Sequence, residues 1–142
     1  KFKEAQMPEH FAISLVGEST FYPKLVEFIR ELRKQGKTSF LVSNGLLPEK
    51  LKELQDKDAL PTQLYISLLY PNEKIFREIT KNKNKNSWKR FNQTISLLPK
   101  LKTRKVIRLT LIKGFNMENK MLKDYAKMEA IQILFVFIVI KQ

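Results

Sequence analysis

Apolar residues along this chain follow two rhythms, and the rhythms alternate from one end to the other. Phe11–Gly17 (FAISLVG), Ser39–Ser43 (SFLVS), Gln63–Leu69 (QLYISLL), Val106–Ile112 (VIRLTLI) and Leu134–Ile140 (LFVFIVI) are short, largely apolar runs. Such runs read as strands buried in a sheet. Between them the spacing changes to three and four. Tyr22–Gln35 sets Leu25, Phe28, Ile29 and Leu32 on one helical face, with Lys24, Glu27, Arg30, Glu31 and Lys34 on much of the rest. Pro23 suits a first helical turn and Gly36 a helix stop. Pro48–Gln55 predicts a short helix, Asn72–Thr80 a helix capped by Asn72, and Met117–Ala130 a further helical region. Ser87–Leu98 is a stronger helix, with Trp88, Phe91, Ile95 and Leu98 in register, and Lys81–Asn86 (KNKNKN) reads as a loop before it.

Repeated strand–helix alternation implies an α/β fold with a parallel sheet, because parallel neighbours need a crossover that a helix supplies. The strands are apolar on both faces, as expected where helices cover the sheet. A flavodoxin-like open sheet and a partial (β/α) barrel both satisfy the pattern, and periodicity does not choose between them. Either architecture places a ligand at the carboxyl ends of the strands.

Polar groups recur at that end. The first strand runs into Gly17-Glu18-Ser19, the second into Ser43-Asn44-Gly45, and the third carries Ser67 before Leu69-Tyr70-Pro71-Asn72. The fourth carries Arg108 and Thr110 and leads into Lys113-Gly114, and the fifth ends in Lys141. Gly17-Glu18 and Ser43-Asn44-Gly45 are also ordinary turn sequences. Arg108 is harder to dismiss: a charge within an apolar strand needs a partner, either an anionic ligand or a salt bridge with Glu18.

Composition narrows the chemistry. Lys and Arg number 27 against 14 acidic residues, a net charge of +13. That excess favours polyanionic partners such as nucleic acid, although the lysines are scattered along helices, where solvated faces account for them equally. The 142 residues suit one domain. They contain no cysteine, which excludes disulfides and cysteine-ligated zinc or iron–sulfur centres within this segment, and one histidine, His10. His10 reads as a polar residue closing the loop before the first strand. The Ile133–Ile140 run falls far short of the roughly 20 residues that span a bilayer as a helix. With no targeting segment, the expectation is a soluble, cytoplasmic chain without a membrane partner. No nucleophile elbow, glycine-rich phosphate loop or paired-carboxylate motif is present.

Four ordered stretches resemble the tRNA 4-demethylwyosine synthase family. His10 to Pro23 (HFAISLVGESTFYP) is similar to its H-x-A-I-S-L-x-G-E-P-T-L-Y-P segment. Thr38 to Gly45 (TSFLVSNG) resembles T-F-L-V-T-N-G, and Pro61 to Ser67 (PTQLYIS) resembles P-T-Q-L-Y-V-S. Arg104 to Met117 (RKVIRLTLIKGFNM) resembles R-T-V-x-R-L-T-L-V-K-G-Y-N-M, and Asp124-Tyr-Ala126 fits the helix that follows.

The resemblance implies a radical-SAM partial (β/α) barrel with parallel strands, occupying 1–142 as one domain, matched over 1–126 and divergent over 127–142. It implies S-adenosylmethionine as cofactor, cleaved reductively by a [4Fe–4S] cluster to start radical chemistry. The implied reaction is a carbon–carbon lyase step in wybutosine biosynthesis, in which pyruvate and an N1-methylguanosine of phenylalanine tRNA give 4-demethylwyosine. The implied parent is a monomer. By position, Gly17 and Glu18 would meet the methionine amino group of the cofactor. Ser43 and Asn44 would lie near its ribose and carboxylate, Ser67 would face the same pocket, and Arg108 would pair the carboxylate.

Departures from the family pattern are equally specific. Its C-x-x-x-C-x-x-C cluster motif, its auxiliary-cluster cysteines and a lysine associated with pyruvate all belong upstream of the first strand seen here. The expectation is therefore an incomplete barrel, with first strand and cluster loop absent, that is catalytically inactive alone. Ser19 stands where the family has proline, Leu68-Leu69-Tyr70 where it has Val-Asp-Ala, and Lys81-Asn82 where it has Arg-Pro. Beyond Ala126 the match decays, as a shifted reading frame near Met128 would produce. A degenerate relative that binds tRNA or cofactor without catalysis is the alternative reading.

Overall fold

The computed structural model describes residues 6–14, 16–82 and 84–127 in full, and the strand backbone of 134–140. The five apolar runs form strands β1 (His10–Ile13), β2 (Thr38–Ser43), β3 (Gln63–Leu68), β4 (Arg104–Ile112) and β5 (Leu134–Ile140). All neighbours pair in parallel and in sequence order, β1-β2-β3-β4-β5. The connecting helices are α1 (Leu25–Lys34), α2 (Pro48–Asp56), the pair α3 (Glu73–Thr80) and α4 (Ser87–Leu97), and α5 (Asn119–Ala126).

Sequential order and one-sided coverage settle the choice left open by periodicity. Leu25, Val26 and Ile29 of α1, Leu51 and Leu54 of α2, and Phe91 and Ile95 of α4 share one buried cluster with alternate strand residues: Leu41, Leu64, Ile66, Leu68, Ile107, Leu109 and Leu111. Of the other parity, Phe40, Val42, Tyr65, Ser67, Arg108, Thr110 and Ile112 are only half-buried, while Val106 is buried. A doubly wound sheet would bury both parities, whereas a barrel wall has helices outside and an interior face within. The described residues form such a wall. The expectation of helices over both faces is not met, because the apolar residues of the second parity belong to the interior side.

Local chemistry sets the boundaries. Gly36 ends α1 at φ +70°, which lets its own N–H reach the Arg33 carbonyl (2.9 Å) and that of Lys37 reach the Leu32 carbonyl (2.9 Å). This paired arrangement satisfies carbonyls that the last helical turn leaves open. Asn72 caps α3, its side-chain oxygen accepting from Ile75 N at 3.1 Å. Predicted boundaries move at β1 and α1 for a shared reason. β1 stops at Ile13, whose carbonyl accepts the Ser19 hydroxyl at 3.0 Å, and a 3₁₀ turn at Ser19–Phe21 then occupies the chain. α1 consequently starts at Leu25, two residues after Pro23. His10 opens β1, with Nδ1 2.6 Å from the Thr38 hydroxyl. Residues 128–130 of the predicted fifth helical region lie outside the described residues, as does Lys141.

The Lys113-Gly114-Phe115-Asn116 stretch has a structural explanation. Asn116 is fully buried. Its Oδ1 accepts from Ile112 N at 2.6 Å, while Nδ2 donates to the Leu69 carbonyl (3.0 Å), the Thr110 carbonyl (2.9 Å) and the Tyr125 hydroxyl (3.1 Å). Tyr125 in turn donates to the Leu69 carbonyl at 2.9 Å. One side chain thus closes the β4 loop and ties it to the end of β3 and to α5. Burial pushes the Tyr125 phenol well above its ordinary range, so it remains a protonated donor.

Asn116→Ala leaves several backbone groups buried and unpaired, at about 1–3 kcal/mol each. We expect a loss of about 3 kcal/mol or more in a urea titration, against about 1 kcal/mol for Tyr125→Phe. A neutral Asn116→Ala would remove this network from the account.

Candidate functional site

At the carboxyl ends of β1 to β4 a pocket of about 620 Å³ is lined by Ser14, Gly17, Glu18, Ser19, Val42, Ser43, Asn44, Ser67 and Arg108. All six residues singled out from the sequence, Gly17, Glu18, Ser43, Asn44, Ser67 and Arg108, fall in this one concavity. Ser19 joins them, and the remaining strand-end candidates do not. Asn72 is a helix cap, and Thr110, Lys113 and Gly114 lie outside the pocket lining.

Strand parity explains the convergence. Ser67 and Arg108 are direct partners in the β3–β4 register. One step back along the same face stand Val42 and Tyr65, also partners. Ser14 and Val42 were not singled out from the sequence. The signal that finds them is two-residue periodicity: Ala12 pairs with Phe40, so Ser14 and Val42 follow on the same face.

Arg108 carries the strongest chemical signal. One terminal nitrogen, Nη2, donates to the Ser67 hydroxyl at 2.9 Å. Its Nε is buried with no hydrogen-bond partner among the described residues. The sequence offered a salt bridge with Glu18 as an explanation of this charge, and no such ion pair forms. A guanidinium that spends one donor on a neutral hydroxyl and leaves another buried and open is poised for an anion.

Glu18 faces the same pocket with its carboxylate largely engaged. Oε1 accepts from the Thr20 hydroxyl (2.6 Å) and Thr20 N (3.2 Å), and Oε2 accepts from Asn44 N at 2.7 Å. It thereby caps the Ser19–Phe21 turn and joins the β1 loop to the β2 loop. Oε2 accepts one bond in the structure, and a carboxylate oxygen has room for two.

The Ser43-Asn44-Gly45 segment is both a turn and a wall. The buried Ser43 hydroxyl accepts from Gly45 N at 3.0 Å, and Asn44 Oδ1 accepts from Leu46 N at 2.9 Å. The Asn44 side-chain nitrogen makes no hydrogen bond among the described residues and remains a donor. Gly45 has φ +73°, and an added Cβ would sit 3.2 Å from Ile66 and 3.3 Å from both Phe91 and Thr94. The Thr94 hydroxyl also donates to the Gly45 carbonyl at 2.7 Å. α4 therefore pins this turn and with it the position of Asn44.

No group of three or more metal-ligating side chains occurs among the described residues. Within them, no helix is long and apolar enough to cross a membrane.

Comparison with known proteins agrees with the fold. The family model of the radical SAM superfamily matches residues 1–126. The S-adenosyl-L-methionine-dependent tRNA 4-demethylwyosine synthase of Pyrococcus abyssi is 41% identical over 128 residues, which are 90% of this chain and 37% of that protein. The corresponding synthase of Methanocaldococcus jannaschii is 46% identical over 116 residues, 82% of this chain and 35% of that protein. The solved structure of TYW1 with a lysine–pyruvate adduct bound superposes with a TM-score of 0.76 at 40% identity, covering 89% of this chain and 41% of that one. The chain thus spans little more than a third of these curated relatives. It belongs to the radical SAM superfamily, as a domain homologous to part of the tRNA 4-demethylwyosine synthases.

Proposed function

We propose that these residues form the cofactor-holding wall of a tRNA 4-demethylwyosine synthase, and that the pocket binds S-adenosylmethionine. The observation that carries this reading is the pairing of Arg108 with Glu18 in one pocket. The ionised lining side chains are one cation with an unsatisfied buried donor and one anion with acceptor capacity left. That combination suits a zwitterionic α-amino acid, whose carboxylate and ammonium need opposite partners a short distance apart. A volume of about 620 Å³ suits a ligand of nucleoside size.

In this reading Arg108 takes the methionine carboxylate while Ser67 orients the guanidinium. Glu18 Oε2, with the Gly17 backbone, receives the ammonium. Asn44 donates its free side-chain N–H groups to a ligand oxygen, and Ser43 acts by fixing the turn. S-adenosylmethionine beside a reduced iron–sulfur cluster supplies a carbon radical. The cluster itself does not fit these residues, since 142 residues without a cysteine provide no thiolate. Nothing beyond binding and orienting the cofactor is assigned to this chain.

The substrates by kinship are phenylalanine tRNA bearing N1-methylguanosine, and pyruvate, with 4-demethylwyosine as product. The relatives' shared name and the net charge of +13 support an RNA partner. The reading treats residues 1–126 as family domain and 127–142 as divergent. A second reading, binding without catalysis, is favoured by Leu69. It stands where the family places an acid, yet its carbonyl still holds Asn116 and Tyr125, so the fold survives the loss.

Isothermal titration of S-adenosylmethionine tests the pocket. Arg108→Met keeps the apolar stem and removes a charged hydrogen bond, so the dissociation constant should rise about tenfold or more. Unchanged affinity in a folded Arg108→Met variant would reject the assignment. Anaerobic reconstitution of the 142-residue chain with iron and sulfide should give no iron–sulfur absorption and no cleavage of S-adenosylmethionine. Appearance of either would contradict the account.

A further inference from the structure

The rim of the pocket carries a feature that the cofactor does not use. Val16 is 96% exposed, Phe21 70% and Tyr22 49%. These side chains flank the Gly17-Glu18-Ser19 segment of the pocket wall. The exposed aromatic rings among the described residues are Phe21, Tyr22 and Phe28, so all of them belong to this rim. Phe28 meets Tyr22 edge-on at 6.5 Å.

This exposure is built into a held segment. Phe21 N donates to the Glu18 carbonyl (3.1 Å), Tyr22 N to the Ser19 carbonyl (3.2 Å), and the Ser19 hydroxyl to the Ile13 carbonyl (3.0 Å). The Glu18 carboxylate that caps this turn also holds the β2 loop. Phe21 is thus fixed to the pocket by the hydrogen bonds that shape the pocket. Large apolar groups held in solvent beside a binding site mark a contact surface.

We propose that Phe21, with Tyr22 beside it, is a stacking platform for an unpaired RNA base that neighbours the base undergoing modification. This deepens the functional reading above and rests on its RNA partner. A base that reacts in a pocket must leave its stack, so the next base loses a stacking face. Single-stranded RNA is recognised largely by aromatic rings that replace such faces, and this recognition tolerates any base. The exposed Lys24 follows the two rings and carries no ion pair among the described residues, leaving it for the backbone phosphate. The net charge of +13 draws the strand in. A protein partner would use the same rings without discriminating between paired and unpaired RNA.

The test measures anisotropy-based affinity of the 142-residue chain for two labelled RNAs of equal length, a hairpin with an unpaired loop and a full duplex. Phe21→Ala should weaken hairpin binding about tenfold and leave duplex binding unchanged. Phe21→Trp should restore hairpin binding. As a control, Lys102→Glu with Arg104→Glu alters the basic concavity at the opposite strand ends, and should weaken both RNAs together if it weakens either. Phe21→Ala with unchanged hairpin affinity, or with equal loss on hairpin and duplex, would overturn the platform. A wild-type chain that binds neither RNA would overturn the RNA partner itself. Cofactor titration with Arg108→Met then still reports separately on the pocket.

Discussion

Everything in this structure depends on a parallel sheet buried on one face. Strand order follows chain order, so successive crossover helices stack against the same parity of strand residues. Leu41, Leu64, Ile66 and Leu109 supply hydrophobic stabilisation on that side, each worth about 1.5–3 kcal/mol when fully buried. The other parity is released from the helix-packing requirement. There the sequence can place Ser67 and Arg108 side by side without breaking the core. A polar pocket at the carboxyl end is the outcome of that division, because loops and open-face residues meet there.

Within the pocket, side chains divide into those that build and those that remain open. Glu18 spends most of its acceptor capacity joining the β1 and β2 loops. Ser43 is buried and holds Gly45, and Gly45 is pinned by Thr94. What stays unspent is specific: Arg108 Nε, one position on Glu18 Oε2, and the Asn44 side-chain nitrogen. In the proposed reading, opposite charges set into a shared wall, each with capacity left, suit a zwitterion better than a simple anion. The 142 residues contain no cysteine and so supply no thiolate for an iron–sulfur cluster.

Strand and helix positions were legible because their signals are local. Alternating runs, Gly36 as helix stop and Asn72 as cap all act within a few residues. The predicted β1 ran too far because FAISLVG is largely apolar, whereas its end depends on the Ser19 hydroxyl reaching back to Ile13. The barrel was not legible from periodicity, since half-buried Phe40 and Tyr65 look the same in sequence as residues under a helix. The six candidate residues, singled out by strand-end position and by resemblance, line one pocket. Ser14 and Val42 needed the register. Phe28 was expected in the core through its helical spacing, yet it is 38% exposed and meets Tyr22 edge-on, while Leu25, Ile29 and Leu32 of the same face are buried.

The central claim is that Arg108 waits for a carboxylate. Its side-chain Nε–H gives a resolvable nitrogen–proton resonance that reports directly on a new hydrogen bond. On titration with S-adenosylmethionine, the account predicts a downfield shift of the Arg108 Nε–H signal together with perturbation of the Asn44 side-chain amide. Saturable binding that moves other resonances and leaves these two in place would contradict it.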